Sequence, residues 1–548
     1  MTNHQARSST QPRLRTRRSQ TSRMRRNLTA FGAAFITLTV AACASPQSDD
    51  QAAGVPVIPG MSQSAIDIMN APAYANSTWA VTVNDANTGE SLVSYNPQSF
   101  LEPASVTKTY SVGAGWLQFG PDSRIVTPVV HTGTIAEGQL DGDLILVAKG
   151  DITMGGQTGP DGKVVFTNLD HNDANLLPGA TIADNNPLAG LDELAAQIKA
   201  AGVSTVSGRV EVDDRLFITE DLGENDGPVS PIVINNNLID VVTTPTSEGQ
   251  PASYRMRPEV SPWTVDNQVR TVGTGGTTEI DIASTVDGVI TMTGTIATDS
   301  DPVLKVWHVS DPATFARTAF VEALGRAGIT VTAAPTEPNS LLGLGTADEV
   351  AALPQVAALQ GLTYDQNATY ILKVSYNRGA QTQVCLLAVS AGSRDCDDGF
   401  PKMAEVLSAA GIDPRGASLV DGSGLPGNYI TADSETQLMS VFAKRPDAAA
   451  WRAALPTMGV DGSIATVQTD SPAKGQVSAK TGTLGNADLL NSRLRVETKA
   501  LGGYITAKSG RQLAVTIIVN QAMFNDIQGV FTANEDLGKI ATSIWEQY

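Results

Sequence analysis

The spacing of apolar and polar residues divides the chain into regions with different predicted secondary structure. Residues 63–121 begin with a helical pattern, continue with the alternating segments STWAVTVNDANTG and SLVSYNP, and end in a helix that starts near Ala104. Alternation with a period of two predicts strands, whereas apolar residues three or four apart predict the buried face of a helix. The first region is therefore predicted to be a helix, a strand pair and a second helix.

From 122 to 307 the pattern changes to short alternating runs separated by Gly and Asp, such as SRIVTPVVHTG, DGDLILVAKG and GVITMTGTIA. One helical pattern, PLAGLDELAAQIKAAG, interrupts these runs and ends on a glycine, as many helices do. We predict a mostly β insertion here, built of two lobes.

Helical periodicity returns at 311–328 and dominates to about residue 450. The last part of the chain predicts a strand ending in KTGT, a hairpin around Lys508-Ser509-Gly510, and a closing helix, TANEDLGKIATSIWEQY. About twenty residues, 484–501, are predicted to connect KTGT to the next strand. This connection is long enough to alter access to anything bound beside KTGT.

The length and charge of the chain narrow its class. A chain of 548 residues is too long to fold around one compact core, so we predict several domains. Its formal charge is −19, but the first 42 residues hold eight arginines and no acidic residue. Without them 29 basic and 56 acidic side chains remain, a net charge of −27. Binding to a phosphate backbone requires clustered Lys and Arg, so we predict no nucleic-acid partner.

The N-terminus has the pattern of an export signal. An arginine-rich stretch precedes the apolar run from Leu28 to Ala42, which has the length of a signal-peptide core. The run ends in V-A-A-C at Cys43, similar to the lipobox of bacterial lipoproteins, in which that cysteine is lipidated after cleavage. We predict a signal peptide at 1–42 and a polar tether at 43–62. The alternative is a plain secretory signal, and Arg25-Arg26 leaves twin-arginine export open.

These features predict an exported protein of the cell envelope, lipid-anchored on the outer face of the plasma membrane, or secreted. The membrane is contacted through the lipid only. In that compartment Cys385 and Cys396, eleven residues apart, are predicted to form a disulfide; two separately buried thiols are the alternative. The chain has four His and no C-x-x-C spacing, so neither a metal site nor a cofactor is predicted.

Candidate chemistry begins in the stretch LEPASVTKTY, where Ser105 and Lys108 are three residues apart at a predicted helix start. Residues at this spacing lie one turn apart on one helix face, so the lysine amine can approach the serine hydroxyl. A desolvated lysine has a lowered pKa and can activate a serine. Taken alone, the pattern equally fits a capped helix with a solvated lysine. A second S-x-x-K, Ser471 to Lys474, contains Pro472 and does not suit a helical turn.

Two distant stretches change this interpretation. Ser375-Tyr376-Asn377 and Lys480-Thr481-Gly482-Thr483 follow in the order S-x-x-K, S-x-N, K-T-G, which resembles penicillin-binding proteins and serine β-lactamases. The large β insertion, the D-G-S-G-L at 421–425 and the G-D-I-T-M at 150–154 are similar to the low-molecular-mass class C penicillin-binding proteins. Those proteins are D-alanyl-D-alanine carboxypeptidases and endopeptidases of peptidase family S13.

The resemblance implies an α/β (α+β) fold, with a transpeptidase-like domain in which helices flank an antiparallel sheet. This catalytic domain is formed by 63–121 and 308–548, on either side of the insertion at 122–307. The resemblance also implies the roles of the motif residues: Ser105 as acylated nucleophile, Lys108 as its base, Ser375 as proton relay, Asn377 binding the substrate backbone, Lys480, Thr481 and Thr483 binding its carboxylate, and the N–H groups of Ser105 and Thr483 as oxyanion hole. Gly482 is expected to leave room for substrate along the strand edge.

The implied substrates are peptidoglycan stem peptides ending in D-Ala-D-Ala, and β-lactams would acylate the same serine as covalent inhibitors. Two alternatives remain at this point: a β-lactamase or esterase on the same fold, and a non-catalytic cell-wall-binding lipoprotein. The chain departs from the family pattern at Tyr376, where Asp is usual, and at Pro426-Gly427, where Ser-Arg is common. The 484–501 connection is a third departure.

Overall fold

The computed structural model describes residues 54–223, 225–286 and 288–548. The predicted signal peptide, the predicted lipidation site Cys43 and most of the predicted 43–62 tether lie outside these residues. Within the described ranges, no helix combines the length and the apolar character needed to cross a membrane.

The helices of the described chain include both helices predicted for the first region, the interrupting helix of the insertion and the closing helix. In chain order they are α1 (Gln63–Met69), α2 (Lys108–Phe119), α3 (Ala189–Ala200), α4 (Pro312–Arg326), α5 (Ala347–Ala351), α6 (Tyr364–Val374), α7 (Asn377–Ser390), α8 (Gly399–Ala409), α9 (Ala432–Ala443), α10 (Ala448–Ala454) and α11 (Gln528–Gln547).

The strands of one central sheet lie at the two ends of the described chain, and most of the other strands, which belong to the insertion, lie between them. In chain order they are β1 (Thr78–Asp85), β2 (Ser91–Tyr95), β3 (Arg124–His131), β4 (Thr134–Ala136), β5 (Gln139–Asp141), β6 (Leu144–Val147), β7 (Thr205–Val206), β8 (Val210–Asp213), β9 (Glu220–Asp221), β10 (Pro228–Val229), β11 (Leu238–Thr244), β12 (Ser253–Arg257), β13 (Thr264–Asn267), β14 (Arg270–Val272), β15 (Glu279–Val286), β16 (Val289–Ala297), β17 (Val303–His308), β18 (Thr330–Val331), β19 (Gln355–Thr363), β20 (Ala417–Ser418), β21 (Tyr429–Ile430), β22 (Val477–Asp488), β23 (Arg493–Thr506) and β24 (Gln512–Phe524).

The central sheet is antiparallel, has five strands in the order β2-β1-β24-β23-β22, and is covered by helices on both faces. In β1, Trp79 and Val81 point into the core beneath α1 and α11, while Ala80 points into the core that contains α2, α6 and α9. Successive side chains of a strand face opposite sides, so burial on both faces explains the nearly continuous apolar sequence of β1. This arrangement confirms the predicted fold class, and it leaves β22, which carries K-T-G-T, at the sheet edge.

The insertion has its own apolar core, and this core includes residues beyond the predicted range of 122–307. It contains apolar residues from β3 through β19, among them the α3 residues Leu191, Leu194 and Ile198 at helical spacing. Helix α4 and strand β19 also belong to this core, and β19 pairs with β3. The two cores thus divide the chain near 363 rather than at the expected boundary of 307. The helical pattern of 311–328 would be the same in the insertion or in the catalytic domain. Only the packing of the folded chain shows that this helix belongs to the insertion.

Two predicted features of the later chain take a different form. The 484–501 segment is not a loop, because β22 continues to Asp488 and β23 begins at Arg493, so the two strands form one long hairpin. Strand β19 interrupts a region predicted to be helical. Cys385 and Cys396 are joined by a disulfide that links α7 to the turn before α8.

Candidate active site

The predicted nucleophile lies where the chain enters α2. Ser105 belongs to a 3-10 helix, Ala104–Thr107, that runs directly into Lys108 at the first position of α2. The preceding Ala104 has a positive φ of 47°, a conformation that non-glycine residues seldom adopt. Such backbone strain is frequently found at functional sites, and here it turns the chain immediately before the serine. Ser105 therefore lies in the first turn of a helix, as predicted.

Lys108 is completely buried and donates hydrogen bonds to three acceptors. Its Nζ lies 2.7 Å from Ser105 Oγ, 2.6 Å from Asn377 Oδ1 and 2.7 Å from the backbone oxygen of Ser423. Burial lowers the pKa of Lys108 to about 8, although the nearby carboxylates of Asp226, Asp421 and Asp173 partly oppose that shift. A lysine with this pKa exchanges its proton near neutral pH, which suits a general base.

Ser375 lies between two helices and faces the K-T-G-T strand. It ends α6 in the left-handed conformation, with φ 62°, and its Oγ accepts a hydrogen bond from Lys480 Nζ at 3.0 Å. The neighbouring Tyr376 is 1% exposed, and its ring packs against that of Tyr370 at 5.6 Å between centroids. The aromatic residue in place of Asp therefore points into the core and leaves the site to Ser375 and Asn377.

Asn377 connects the catalytic core to the insertion. Its Oδ1 accepts from Lys108, and its Nδ2 donates to Asp226 Oδ1 at 2.9 Å. Asp226 lies in the turn between β9 and β10, about 150 residues earlier in the chain. No sequence motif marked Asp226, because its relation to Asn377 exists only in the folded protein.

Lys480, Thr481 and Gly482 are buried along β22, and Thr483 is partly exposed. Besides Ser375, Lys480 Nζ donates to the backbone oxygen of Thr481 at 2.8 Å, and Thr481 shares a 2.7 Å hydrogen bond with Ser463. Burial, and then the charge of Lys108, lower the pKa of Lys480 well below its ordinary value. A carboxylate arriving beside Lys480 would favour its protonated form again, because opposite charges stabilise each other in a desolvated site.

A third buried lysine was missed by sequence reasoning. Lys499 is the β23 partner of Thr483, and its Nζ donates to Thr483 Oγ1 at 2.7 Å. Burial lowers the pKa of Lys499 to about 7. The antiparallel register of the hairpin is the signal that could have identified it, but that register was hidden by the assumption of a loop at 484–501.

Asp173 is a further acidic residue of the site that no motif indicated. It closes a short 3-10 helix, His171–Asp173, in the segment between β6 and α3. Burial and the charge of Asp170 raise the pKa of Asp173 to about 7, while Lys108 and Lys480 act in the opposite direction. Asp173 is thus close enough to Lys108 and Lys480 to influence their charge.

The D-G-S-G-L segment forms the support under Lys108. Asp421 accepts hydrogen bonds from the backbone N–H of Ser423 at 2.6 Å and of Gly424 at 2.8 Å, and from Asn428 Nδ2 at 2.6 Å. This closed loop holds the Ser423 carbonyl toward Lys108. Pro426, the first of the two unusual residues that follow, is exposed on the rim.

Glycine is required at two positions because the backbone there passes very close to the turn that contains Ser105. A Cβ at Gly482 would lie 2.0 Å from the Pro103 oxygen, and a Cβ at Gly424 would lie 1.9 Å from the Ala104 oxygen. We expected Gly482 to leave room for substrate. The space beside Gly482 is instead taken up by the protein's own chain, so glycine is needed even before substrate binds.

The structure also places the residues that do not belong to the site. The second S-x-x-K lies in a turn, where Ser471 Oγ accepts from the backbone N–H of Ala473 at 3.1 Å and Lys474 is exposed. Within the described residues, Glu220, Cys385 and Cys396 have donor atoms close enough for a metal ion. Both cysteines are joined in the disulfide and offer no thiolate there.

The three motifs form two hydrogen-bonded groups that meet at the S-Y-N segment: Lys108 contacts Ser105 and Asn377, and Lys480 contacts Ser375. The cluster combines a hydroxyl nucleophile, a desolvated amine and a second cation beside a strand edge. Such a set can perform acyl transfer from a substrate that carries a carboxylate.

Comparison with known proteins agrees with this geometry. The model of the D-Ala-D-Ala carboxypeptidase 3 (S13) family matches residues 62–535. A D-alanyl-D-alanine carboxypeptidase of Actinomadura sp. (strain R39) is 29% identical over 483 residues, which cover 83% of this chain and 79% of that relative.

Among solved structures, penicillin binding protein 4 of Haemophilus influenzae has a TM-score of 0.64 at 20% identity, covering 86% of this chain and 98% of that chain. The same protein complexed with a β-lactam gives a TM-score of 0.60 at 19% identity over the same shares of both chains. These two likenesses show a shared fold.

Proposed function

Because the chain belongs to the D-Ala-D-Ala carboxypeptidase 3 (S13) family, we propose that Ser105 is the residue through which this serine peptidase cleaves peptidoglycan stem peptides. The enzyme acts as a D-alanyl-D-alanine carboxypeptidase or endopeptidase through an acyl-enzyme. The observation that carries the residue assignment is the 2.7 Å contact between Ser105 Oγ and the buried amine of Lys108. The family match favours this activity over a dedicated β-lactamase, an esterase or a silent wall-binding protein.

In the acylation step Ser105 Oγ attacks the carbonyl carbon of the penultimate D-Ala, and neutral Lys108 takes the hydroxyl proton. The backbone N–H groups of Ser105 and Thr483 stabilise the developing oxyanion. The peptide C–N bond then breaks. Lys108 gives up the proton that it took from Ser105, and the departing amine receives a proton by way of Ser375, which lies 3.0 Å from Lys480 Nζ. Lys108 is then neutral again.

In the deacylation step neutral Lys108 accepts a proton from water as the water oxygen attacks the ester carbonyl. The ester C–O bond to Ser105 then breaks, and Lys108 returns the proton to Ser105 Oγ. Terminal D-Ala is the leaving group in carboxypeptidase action, and the amine of a second stem is the leaving group in endopeptidase action. A β-lactam opens on the same serine, but its amine stays attached to the acyl group and is not released.

Substrate binding is assigned to the strand edge and to α7. Lys480 is the cation for the terminal carboxylate, with the hydroxyls of Thr481 and Thr483 as hydrogen-bond donors. Lys499 Nζ donates a hydrogen bond to the Thr483 hydroxyl oxygen. The hydroxyl proton of Thr483 therefore stays free to be donated to the substrate. Asn377 binds the substrate backbone.

The assignment is tested with a labelled penicillin and peptide mapping of the adduct. The wild-type protein should be labelled on Ser105, and the Ser105→Ala variant should lose the label. Ser471→Ala is the matched control, because it removes the serine of the other S-x-x-K and should keep full labelling. Label on another residue, or retained label in Ser105→Ala, would refute the assignment. D-Ala release from a peptide ending in D-Ala-D-Ala then tests the peptidase reaction.

The site of action is proposed from the family and from the N-terminal sequence. A peptidase of peptidoglycan works outside the plasma membrane, and 1–42 has the pattern of a signal peptide. We propose that Cys43 is lipidated and that the 43–62 tether holds the folded body near the membrane. In the native host, Cys43→Ser should release the protein from the membrane fraction; membrane retention of that variant would contradict lipid anchoring.

A further inference from the structure

A cavity of about 460 Å³ lies where the insertion meets the catalytic core, and the residues that line it include none of the motif residues. Its catalytic side is formed by the last turn of α2, the first turn of α6 and the second half of α7. Its insertion side is formed by the start of β3 and by the loops that follow β6 and β8. Cavities that hold small molecules commonly measure about 300–1,000 Å³, so this cavity has room for a ligand.

The cavity is separated from the acylation site by the length of two helices. Helix α2 begins at Lys108 and reaches the cavity at Phe119, and α7 begins at Asn377 and reaches the cavity at Leu386. A helix rises by about 1.5 Å per residue, so these two spans measure about 14–17 Å. A molecule in the cavity would therefore leave the cleft at Ser105 open.

Five apolar side chains around the cavity are only partly buried. They come from both bodies of the protein, and they are Phe119, Ile125, Leu216, Leu386 and Val389. Covering apolar surface of this kind is favourable, and it is the main source of affinity in concave binding sites. The lining therefore favours a ligand with an apolar body.

Two buried carboxamides add hydrogen-bonding groups to this lining. Asn367 is 7% exposed, and its Oδ1 has no hydrogen-bond partner among the described residues. Gln383 is 3% exposed; its Nε2 donates to the Gly379 oxygen at 3.1 Å, and its Oε1 accepts no hydrogen bond from the described part of the chain. Burial of a polar atom without a partner is unfavourable. Both free atoms are acceptors, so the lining favours a ligand that carries an N–H or O–H donor.

The charged residues of the lining are cationic. Lys149 and Arg124 line the cavity, and the described residues around it include no Asp or Glu. Arg124 donates to the Gly361 oxygen at 2.7 Å, whereas Lys149 Nζ has neither a hydrogen bond nor an ion pair within the described ranges. The charge of Lys149 also acts on Asp213, but Arg215 already holds that carboxylate at 2.7 Å. Two cations without an acidic residue favour an anionic ligand.

We infer that this cavity is a second ligand site, which takes a small anionic amphiphile with an apolar body, one N–H or O–H donor and one anionic group. The apolar body lies against Leu216 and Leu386, the donor at Gln383 and the anionic group at Lys149. The inference does not depend on the proposed function, because none of these residues takes part in acyl transfer. Such a ligand contacts both the insertion and the catalytic core, so its binding stabilises the folded protein.

The test uses two fluorescent probes that differ in charge. 8-Anilinonaphthalene-1-sulfonate has an apolar body, an N–H group and a sulfonate, and N-phenyl-1-naphthylamine is the same molecule without the sulfonate. The sulfonate probe should bind the wild-type protein with a stoichiometry of one, and should bind the penicillin-acylated protein equally well. Absence of binding would overturn the inference. Loss of binding after acylation would also overturn it, since the probe would then occupy the cleft at Ser105.

Lys149→Gln removes the cation that is assigned to the anionic group. Its affinity for the sulfonate probe, relative to the neutral probe, should fall about fivefold to tenfold, the effect of one charge-assisted hydrogen bond at a partly exposed position. Lys163→Gln is the matched control, because Lys163 is an exposed lysine of the insertion that does not line the cavity. This control should keep the wild-type ratio. An unchanged ratio in Lys149→Gln, or an equal fall in Lys163→Gln, would refute an anion site at Lys149.

A second variant tests the apolar part of the site. Leu386→Trp places a larger side chain in the cavity and should weaken the binding of both probes about tenfold. A cooperative thermal transition shows that this variant is folded, and the comparison of the two lysine variants decides the question if it is not. Wild-type affinity for both probes in folded Leu386→Trp would place the probes elsewhere and contradict the site.

Thermal unfolding gives a measurement that does not depend on fluorescence. A saturating concentration of the sulfonate probe should raise the midpoint of unfolding of the wild-type protein, and the same concentration should raise it less in Lys149→Gln. An unchanged midpoint in the wild-type protein would contradict binding to the folded state. A failure of the proposed function would instead appear as loss of penicillin labelling at Ser105 and would leave the probe affinities unchanged.

Discussion

At the scale of single residues, the environment of Lys108 suits the proposed activation of Ser105 without histidine. The amine is desolvated and held by three acceptors, so its pKa of about 8 reflects burial opposed by three nearby carboxylates. In the proposed mechanism the neutral form of Lys108 accepts the Ser105 proton, and the cationic form does not.

The rate constant of penicillin acylation should therefore rise with pH and level off above an apparent pKa of about 8. Lys108→Arg should lower the rate by about 10²- to 10⁴-fold and remove the rising limb, because arginine stays protonated. Stopped-flow acylation from acid to alkaline pH measures both effects. A rising limb that persists in Lys108→Arg would show that another group is the base.

Gly482 illustrates a residue whose importance lies in backbone packing. Gly482→Ala should displace the Pro103 carbonyl, which would lie 2.0 Å from the new Cβ, and lower stability by about 1–3 kcal/mol together with the acylation rate. Gly325→Ala in α4 is the control, since a Cβ there meets no atom within 4 Å. Chemical denaturation and penicillin labelling measure the outcome. Wild-type behaviour of Gly482→Ala would contradict the close packing.

At the scale of elements, a buried acidic residue on α9 forms a hydrogen bond to α2. Glu435 accepts a hydrogen bond from Thr109 Oγ1 at 2.8 Å, while its other oxygen has no hydrogen-bond partner among the described residues. Burial raises the pKa of Glu435 to about 8. The folded protein thus keeps a neutral carboxyl group between α9 and the helix that carries Lys108.

This raised pKa predicts a pH-dependent stability. Between pH 4.5 and about 8 the unfolded chain has released a proton that the folded protein retains, so stability falls as the pH rises. Glu435→Gln lacks this titration and should gain stability relative to wild type as the pH rises from about 5 to about 8. Urea denaturation at both pH values measures the difference. A stability difference that is independent of pH would contradict a neutral Glu435.

At the scale of the whole molecule, a buried polar network joins the insertion to the catalytic core. Asn236 of the insertion donates through Nδ2 to Tyr370 OH at 2.6 Å on α6, and lies 2.9 Å from His171 Nε2. His171 in turn contacts Asp240 at 2.8 Å. The network reaches the helix that ends at Ser375, so the insertion helps to position the S-Y-N motif.

Removing the shared amide should weaken this connection. Asn236→Ala leaves polar atoms of Tyr370 and His171 buried without that partner, and should destabilise the protein by about 1–3 kcal/mol. Thermal unfolding measures the loss. Tyr370→Phe is a milder control, because it removes the hydroxyl together with its need for a partner. An Asn236→Ala variant as stable as wild type would show that this amide does not contribute to joining the two bodies.

The sequence by itself determined the features that depend on local order and chemistry. Periodicity located α1, α2, α3, α4 and the strands of the central sheet, because burial of one face imposes a repeat on the residues that form it. The ordered motifs at Ser105, Ser375 and Lys480 identified the family and the fold class, both of which are confirmed. The roles of these residues, the signal peptide and Cys43 stay predictions.

Only the tertiary structure decided which residues meet. Asp226 and Lys499 have no local signature, because their relation to Asn377 and Thr483 depends on chain segments that are distant in sequence or on strand register. Packing also decided that the chain re-enters the catalytic domain near 363 and that 484–497 forms an extended hairpin. A helical or alternating pattern is compatible with more than one such arrangement, and the free energy of burial selects among them.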